Sequence, residues 1–180
     1  MGAVAAERYD MTELAHEHVA ALAEETGESA FLSTRRGDET VCVLRRDGSF
    51  PIRSFVLHEG KRLPLGVASA GLAILSFLPD TFIERYLDAA TLENDFGPEH
   101  AAPRILERIE ATRVAGYSTN PGLIVQGSWG MGSAVFDRAG QPAWALSITG
   151  VEHRFSTERR PLLGQLLMRH AHALTQKIQG

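Results

Sequence analysis

With one cysteine, Cys42, in 180 residues, the chain cannot close an internal disulfide or offer two thiolates to a zinc ion. A reducing, cytoplasmic setting is the simplest expectation. No stretch approaches the roughly 18 apolar residues of a membrane span. The N-terminal residues Met1 to Arg8 also lack a basic end followed by an apolar run, so neither a signal peptide nor a membrane partner is expected. Basic charge is scarce: 18 Lys and Arg against 22 Asp and Glu give −4, and the longest basic runs are the pairs Arg35-Arg36, Arg45-Arg46 and Arg159-Arg160. That excludes a self-sufficient nucleic-acid binder, whose affinity rests on neutralising phosphates. What the chain has is ordinary globular material: 44% hydrophobic residues, with 17 Gly and 8 Pro. A single domain of this size buries about 70% of its surface, which excludes disorder, collagen and coiled-coil rods as the main state.

Hydrophobic periodicity predicts a helix over Met11–Thr26, with Leu14, Ala15, Val19, Leu22 and Ala23 on one face and Gly27 as its stop. Three short runs, Ser29–Arg35, Thr40–Arg46 and Phe50–Leu57, then read as an antiparallel meander. Residues 60–66 read as a loop, Val67–Leu78 as a buried helix stopped by Pro79, and Asp80–Leu87 as a helix capped by Asp80. Residues 93–98 read as loop and Ala102–Ala115 as a helix, with Pro103 in its first turn and Gly116 as its cap. Strands follow at Leu123–Gln126, Met131–Asp137 and Pro142–Gly150, the last two as a hairpin; a long helix opens at Ser156 or Thr157. The fold class is α+β, an antiparallel sheet flanked by helices.

Catalytic patterns fail one after another. There is no phosphate-cradling P-loop. Val67-Ala68-Ser69-Ala70-Gly71 carries a Cβ at its first position, where a nucleophile elbow needs none. Gly127-Ser128-Trp129-Gly130-Met131-Gly132 does not spell the dinucleotide fingerprint, and no helical pattern follows it, so no cofactor is expected. His16 with His18, and His170 with His172, are two apart on helices and cannot face one ligand; His58, His100 and His153 are isolated, so no metal site is expected. Cys42 sits mid-strand and reads as a small core residue. No catalytic residue is assigned.

What survives is a binding arrangement. Ser69, Ala70 and Gly71 open the buried helix, where free N–H groups and the positive end of the dipole favour an anion such as a carboxylate. Ser147 and Thr149 are two apart, so both hydroxyls share one sheet face while Leu146 and Ile148 point to the other. The plainer alternative is that these hydroxyls are solvated and Ser69 merely caps its helix.

Several blocks together resemble the C-terminal, effector-binding domain of IclR-family bacterial transcriptional regulators. They are Leu22-Ala23-Glu24-Glu25-Thr26-Gly27-Glu28, Gly60-Lys61-Arg62-Leu63-Pro64-Leu65, Ala70-Gly71-Leu72-Ala73-Ile74-Leu75, Ala115-Gly116-Tyr117-Ser118, and Val135-Phe136-Asp137 with Gly140 to Gly150. The resemblance implies a GAF-like fold with a ligand pocket on one sheet face, a small organic acid as effector, and assembly as a homodimer or homotetramer. It places Leu63, Ser69, Ala70, Gly71, Ser147 and Thr149 at the pocket. Asn120 and Gly130 stand where better-known members carry an acidic residue and a cysteine; Trp129 and Met131 flank the opening this leaves, and Trp129 reads equally well as core or subunit interface. The implied effector is therefore a larger or aromatic carboxylate. Residues 1–10 are expected to be linker or appended residues, and residues 11–180 the effector domain. DNA contact belongs to a winged helix-turn-helix domain for which these residues leave no room. Two other readings stay open: a structural dimerisation module that has lost its ligand, and a small-molecule enzyme on the same scaffold.

Overall fold

The computed structural model describes residues 2–54 and 56–180, and residues 2–10 by their backbone alone. The first helix, α1 (Gly2–Thr26), begins well before the expected Met11. Its buried stripe is Met11, Ala15, Val19, Leu22 and Ala23; Leu14, expected on that face, is partly exposed. The helix ends as predicted, with Gly27 at φ 76° and its N–H bonded to the Ala23 carbonyl at 2.9 Å.

A hairpin of β1 (Ser29–Arg36) and β2 (Glu39–Arg46) follows. The third strand is not Phe50–Leu57. The described residues of that run form a connection, and the strand that completes this edge is β3 (Arg62–Pro64), paired antiparallel to β2. Pro51 has no N–H for a ladder, and Leu57 is spent on the core rather than on alternation.

The buried helix is α2 (Ser69–Ser76), shorter than predicted but buried at all eight positions. Next come α3 (Asp80–Ala90), with Pro79 rather than Asp80 at its cap, and α4 (Glu93–Phe96), a single turn where loop was expected. The helix α5 (Ala102–Ala115) has the predicted bounds, and Gly116 caps it at φ 86°. The strand placed at Leu123–Gln126 lies instead at β4 (Ser118–Pro121), and the predicted hairpin is β5 (Ser128–Phe136) with β6 (Pro142–Val151). Helix α6 (Arg159–Gln179) closes the chain.

Among the described residues the sheet is six-stranded and antiparallel, in the order β3-β2-β1-β6-β5-β4. Each face has its own core. On one side α1 and α6 cover Ala30, Leu32, Met131, Leu146 and Ile148; on the other Phe31, Ala134 and Ala145 meet α2, which in turn packs on α5. Strand alternation sends Ser147 and Thr149 to the α2 side, as the sequence predicted.

Candidate functional site

The start of α2 lies directly on the sheet because β5 presents glycine beneath it. A Cβ on Gly132 would sit 2.9 Å from the Ser69 carbonyl oxygen, and one on Gly130 3.0 Å from Ser69 Oγ. Ser118 Oγ, on β4, donates to the same Ser69 carbonyl at 2.6 Å and pins this end of the helix from the side. Register then places Gly130 opposite Thr149 and Gly132 opposite Ser147, so two glycines and two hydroxyls form one patch under the helix.

Ala68, at the N-cap, offers no side-chain acceptor to the first turn. The leading amides of a helix have no partner within it, so the buried first turn of α2 presents free donors. Ser147 Oγ and Thr149 Oγ1 are buried without a hydrogen-bond partner among the described residues. An orphaned buried hydroxyl costs about 1–3 kcal/mol, and this patch carries two with unused hydrogen-bonding capacity.

A cavity of about 20 Å³ opens beside the patch, lined by Leu63, Ser69, Asn120, Trp129, Gly130 and Thr149, and further by Val56, Leu57, Ala68, Ile124 and Ser128. That is room for one water. Ser54 Oγ, in the connection after β2, shares a hydrogen bond with Ser128 Oγ at the start of β5, and Val56 and Leu57 of the same connection line the cavity. Of the residues predicted for the site, Leu63, Ser69, Asn120, Trp129, Gly130 and Thr149 meet here. Ala70 and Gly71 lie behind Ser69 within α2, and Ser147 lies one register step deeper, under the helix rather than on the cavity wall.

Three predicted features differ in detail. Asn120 borders the cavity, but its amide nitrogen donates to the Val67 carbonyl at 2.9 Å and its oxygen accepts from the Leu123 N–H at 2.9 Å. It holds the loop against the start of α2. The space expected at Gly130 is taken by the Ser69 side chain. Trp129 borders the cavity, but alternation turns its ring, like the Met131 side chain, to the far face. There Met131 is fully buried, and the Trp129 ring packs 6.2 Å from Phe155 with Arg160 above it.

The wall residues Val56 and Leu57 were hidden inside the run read as a strand. No local signal marked Ile124 or Ser128 as wall residues. Cys42 is buried in the core as expected, and burial pushes its thiol up to about 12, far from a thiolate at neutral pH. His100 is buried beside α5; its Nδ1 donates to the Phe96 carbonyl at 3.0 Å, and desolvation holds its imidazole below the ordinary value. Among the described residues, no helix is long and apolar enough to cross a membrane.

The family model described as "Bacterial transcriptional regulator IclR C-terminal" matches residues 3–176. The chain is 29% identical over 178 residues to the HTH-type transcriptional regulator KipR of Bacillus subtilis (strain 168), covering 98% of this chain and 71% of that protein. It is 28% identical over 152 residues to the HTH-type transcriptional repressor AllR of Klebsiella pneumoniae, covering 83% of this chain and 55% of that one. In fold it is similar to the crystal structure of Thermotoga maritima IclR, with a TM-score of 0.88 at 24% identity over 99% of this chain and 72% of that chain. The C-terminal domain of the Escherichia coli regulator KdgR gives a TM-score of 0.80 at 22% identity, covering 95% of this chain and 99% of that one. These relatives are transcriptional regulators, not enzymes, and they share the GAF-like arrangement of helices around a curled antiparallel sheet.

Proposed function

Since this chain belongs to the IclR C-terminal family of bacterial transcriptional regulators, we propose that it is the sensing domain of such a regulator and that the patch under α2 binds a small carboxylate. The carrying observation is the pairing of two buried, unpartnered hydroxyls, Ser147 and Thr149, with the uncapped first turn of α2. Carboxylate oxygens accept from both kinds of donor, and no cationic side chain lines the cavity among the described residues. The apolar remainder of the wall, Val56, Leu57, Leu63 and Ile124, suits the body of an aromatic acid better than a two- or three-carbon acid. A ligand of that size enters only when the wall that Val56 and Leu57 form moves aside, because the cavity as it stands holds one water. Binding would then bias a dimer or tetramer between two arrangements and act on cytoplasmic DNA through the family's N-terminal DNA-binding domain.

A thermal-shift titration with benzoate, 4-hydroxybenzoate, pyruvate and glyoxylate tests this. A midpoint that rises with the logarithm of acid concentration, and that Ser147→Ala and Thr149→Val suppress without changing oligomeric state, is the expected result. Stabilisation by the short acids alone overturns the aromatic assignment. No stabilisation by any acid favours the second reading, a dimerisation module without a ligand, which the one-water cavity and the self-satisfied Asn120 support.

A further inference from the structure

On the face of the sheet away from the cavity, α1 and α6 are joined by a row of side chains that no ligand-binding role uses. Lys177 Nζ lies 3.1 Å from His18 Nε2, His18 Nδ1 lies 2.9 Å from His170 Nδ1, and His170 Nε2 lies 3.3 Å from Glu25 Oε2. We infer that this row is a pH-sensitive clasp, a one-way hydrogen-bond chain that closes α1 on α6 only while the His18 imidazole is neutral.

The direction follows from what each group can do. An ammonium has only donors, so Lys177 donates and His18 Nε2 accepts. The His18 proton is then on Nδ1 and is donated to His170 Nδ1. That leaves the His170 proton on Nε2, pointing at the Glu25 carboxylate. Every group in the row is satisfied, and only one tautomer of each ring satisfies it. A further proton on His18 has no good place, because on Nε2 it would face the Lys177 ammonium.

The surroundings sharpen this response. On α1 the row is flanked by Glu17, which pairs with Lys177 and lies 3.9 Å from His18 Nε2; on α6 Arg169 lies 3.7 Å from Glu25. The strands beneath contribute apolar side chains, Ala30, Leu32, Leu146 and Ile148, and the charged residue of β2 on this face, Arg46, is exposed. Burial, then Lys177 and His170, hold the His18 imidazole below its ordinary value. The unfolded chain therefore takes up a proton near pH 6.5 that the folded chain refuses. Stability from the clasp is complete above that value and declines as the pH falls below it.

Two measurements on the chain test the clasp. Long-range proton–nitrogen NMR at pH 7.5 should find the His18 proton on Nδ1 and the His170 proton on Nε2. Between pH 7.5 and 5.5, amide exchange of residues 15–25, corrected for intrinsic rate, should accelerate about tenfold relative to α5. His18→Gln keeps an acceptor for Lys177 and a donor for His170 but does not titrate, so it should flatten that response. The opposite tautomer on either ring overturns the inference, as does an equal pH response in the wild type and His18→Gln. If the variant does not fold, the wild-type tautomers decide alone.

Discussion

The two faces of the sheet are built to different standards. On the α1/α6 face even the polar groups are closed into networks. Glu28, fully buried, accepts from Arg154 at 2.7 and 2.9 Å and from Arg159 at 2.7 Å; Arg159 also donates to the Thr26 carbonyl, and Arg154 stacks 4.2 Å over Phe50. On the α2 face, among the described residues, two hydroxyls have no partner, a helix starts uncapped, and a cavity adjoins a single serine pair. Both faces are buried, so exposure does not separate them. Hydrogen-bond satisfaction does, and the unsatisfied face is the one with capacity to bind.

Breaking the satisfied face should have the largest effect. Glu28→Ala leaves two guanidinium groups without their carboxylate; Arg154 is largely buried and Arg159 partly exposed, so the loss is set at about 3 kcal/mol of unfolding free energy. Urea denaturation measures it, and a loss below about 1 kcal/mol would mean that water replaces Glu28 at little cost. A smaller effect, about 1–2 kcal/mol, is expected for Gly132→Ala on the other face, because its Cβ meets a backbone oxygen that cannot swing away. That variant should also lose stabilisation by added acid, since it lifts the first turn of α2 off Ser147. Destabilisation with acid binding intact would detach the patch from the function.

The parts of this contrast that lay in local pattern could be read from the sequence. Alternation in β6 separated Ser147 and Thr149 from Leu146 and Ile148, and the bounds of α5 followed from Pro103 and Gly116. The strand β3 was missed because three residues ending in Pro64 carry no period, whereas Phe50–Leu57 imitates a strand with side chains that serve as cavity wall and core. The same alternation, applied to β5, would have sent Trp129 and Met131 to the far side from Gly130. Contacts between distant segments were out of reach. His18 and His170 are 152 residues apart, so the spacing within each helix gave no sign that the two rings meet.

The smallest expected effect divides the α2 face itself, because its sign differs between two serines that lie on that face two strands apart, on either side of Gly132. Ser118 Oγ has its acceptor in the Ser69 carbonyl at 2.6 Å, so Ser118→Ala should cost about 1 kcal/mol. Ser147 Oγ has none, so Ser147→Ala removes a desolvated group that returns nothing in the unliganded chain and should stabilise it by up to about 1 kcal/mol. Both follow from urea midpoints at an unchanged slope. Under saturating acid the order should reverse for Ser147, whose hydroxyl then has an oxygen to bind, so the variant's advantage disappears. If Ser147→Ala instead weakens the unliganded protein as Ser118→Ala does, its hydroxyl is already satisfied. The unsatisfied face would then rest on Thr149 and the helix start alone.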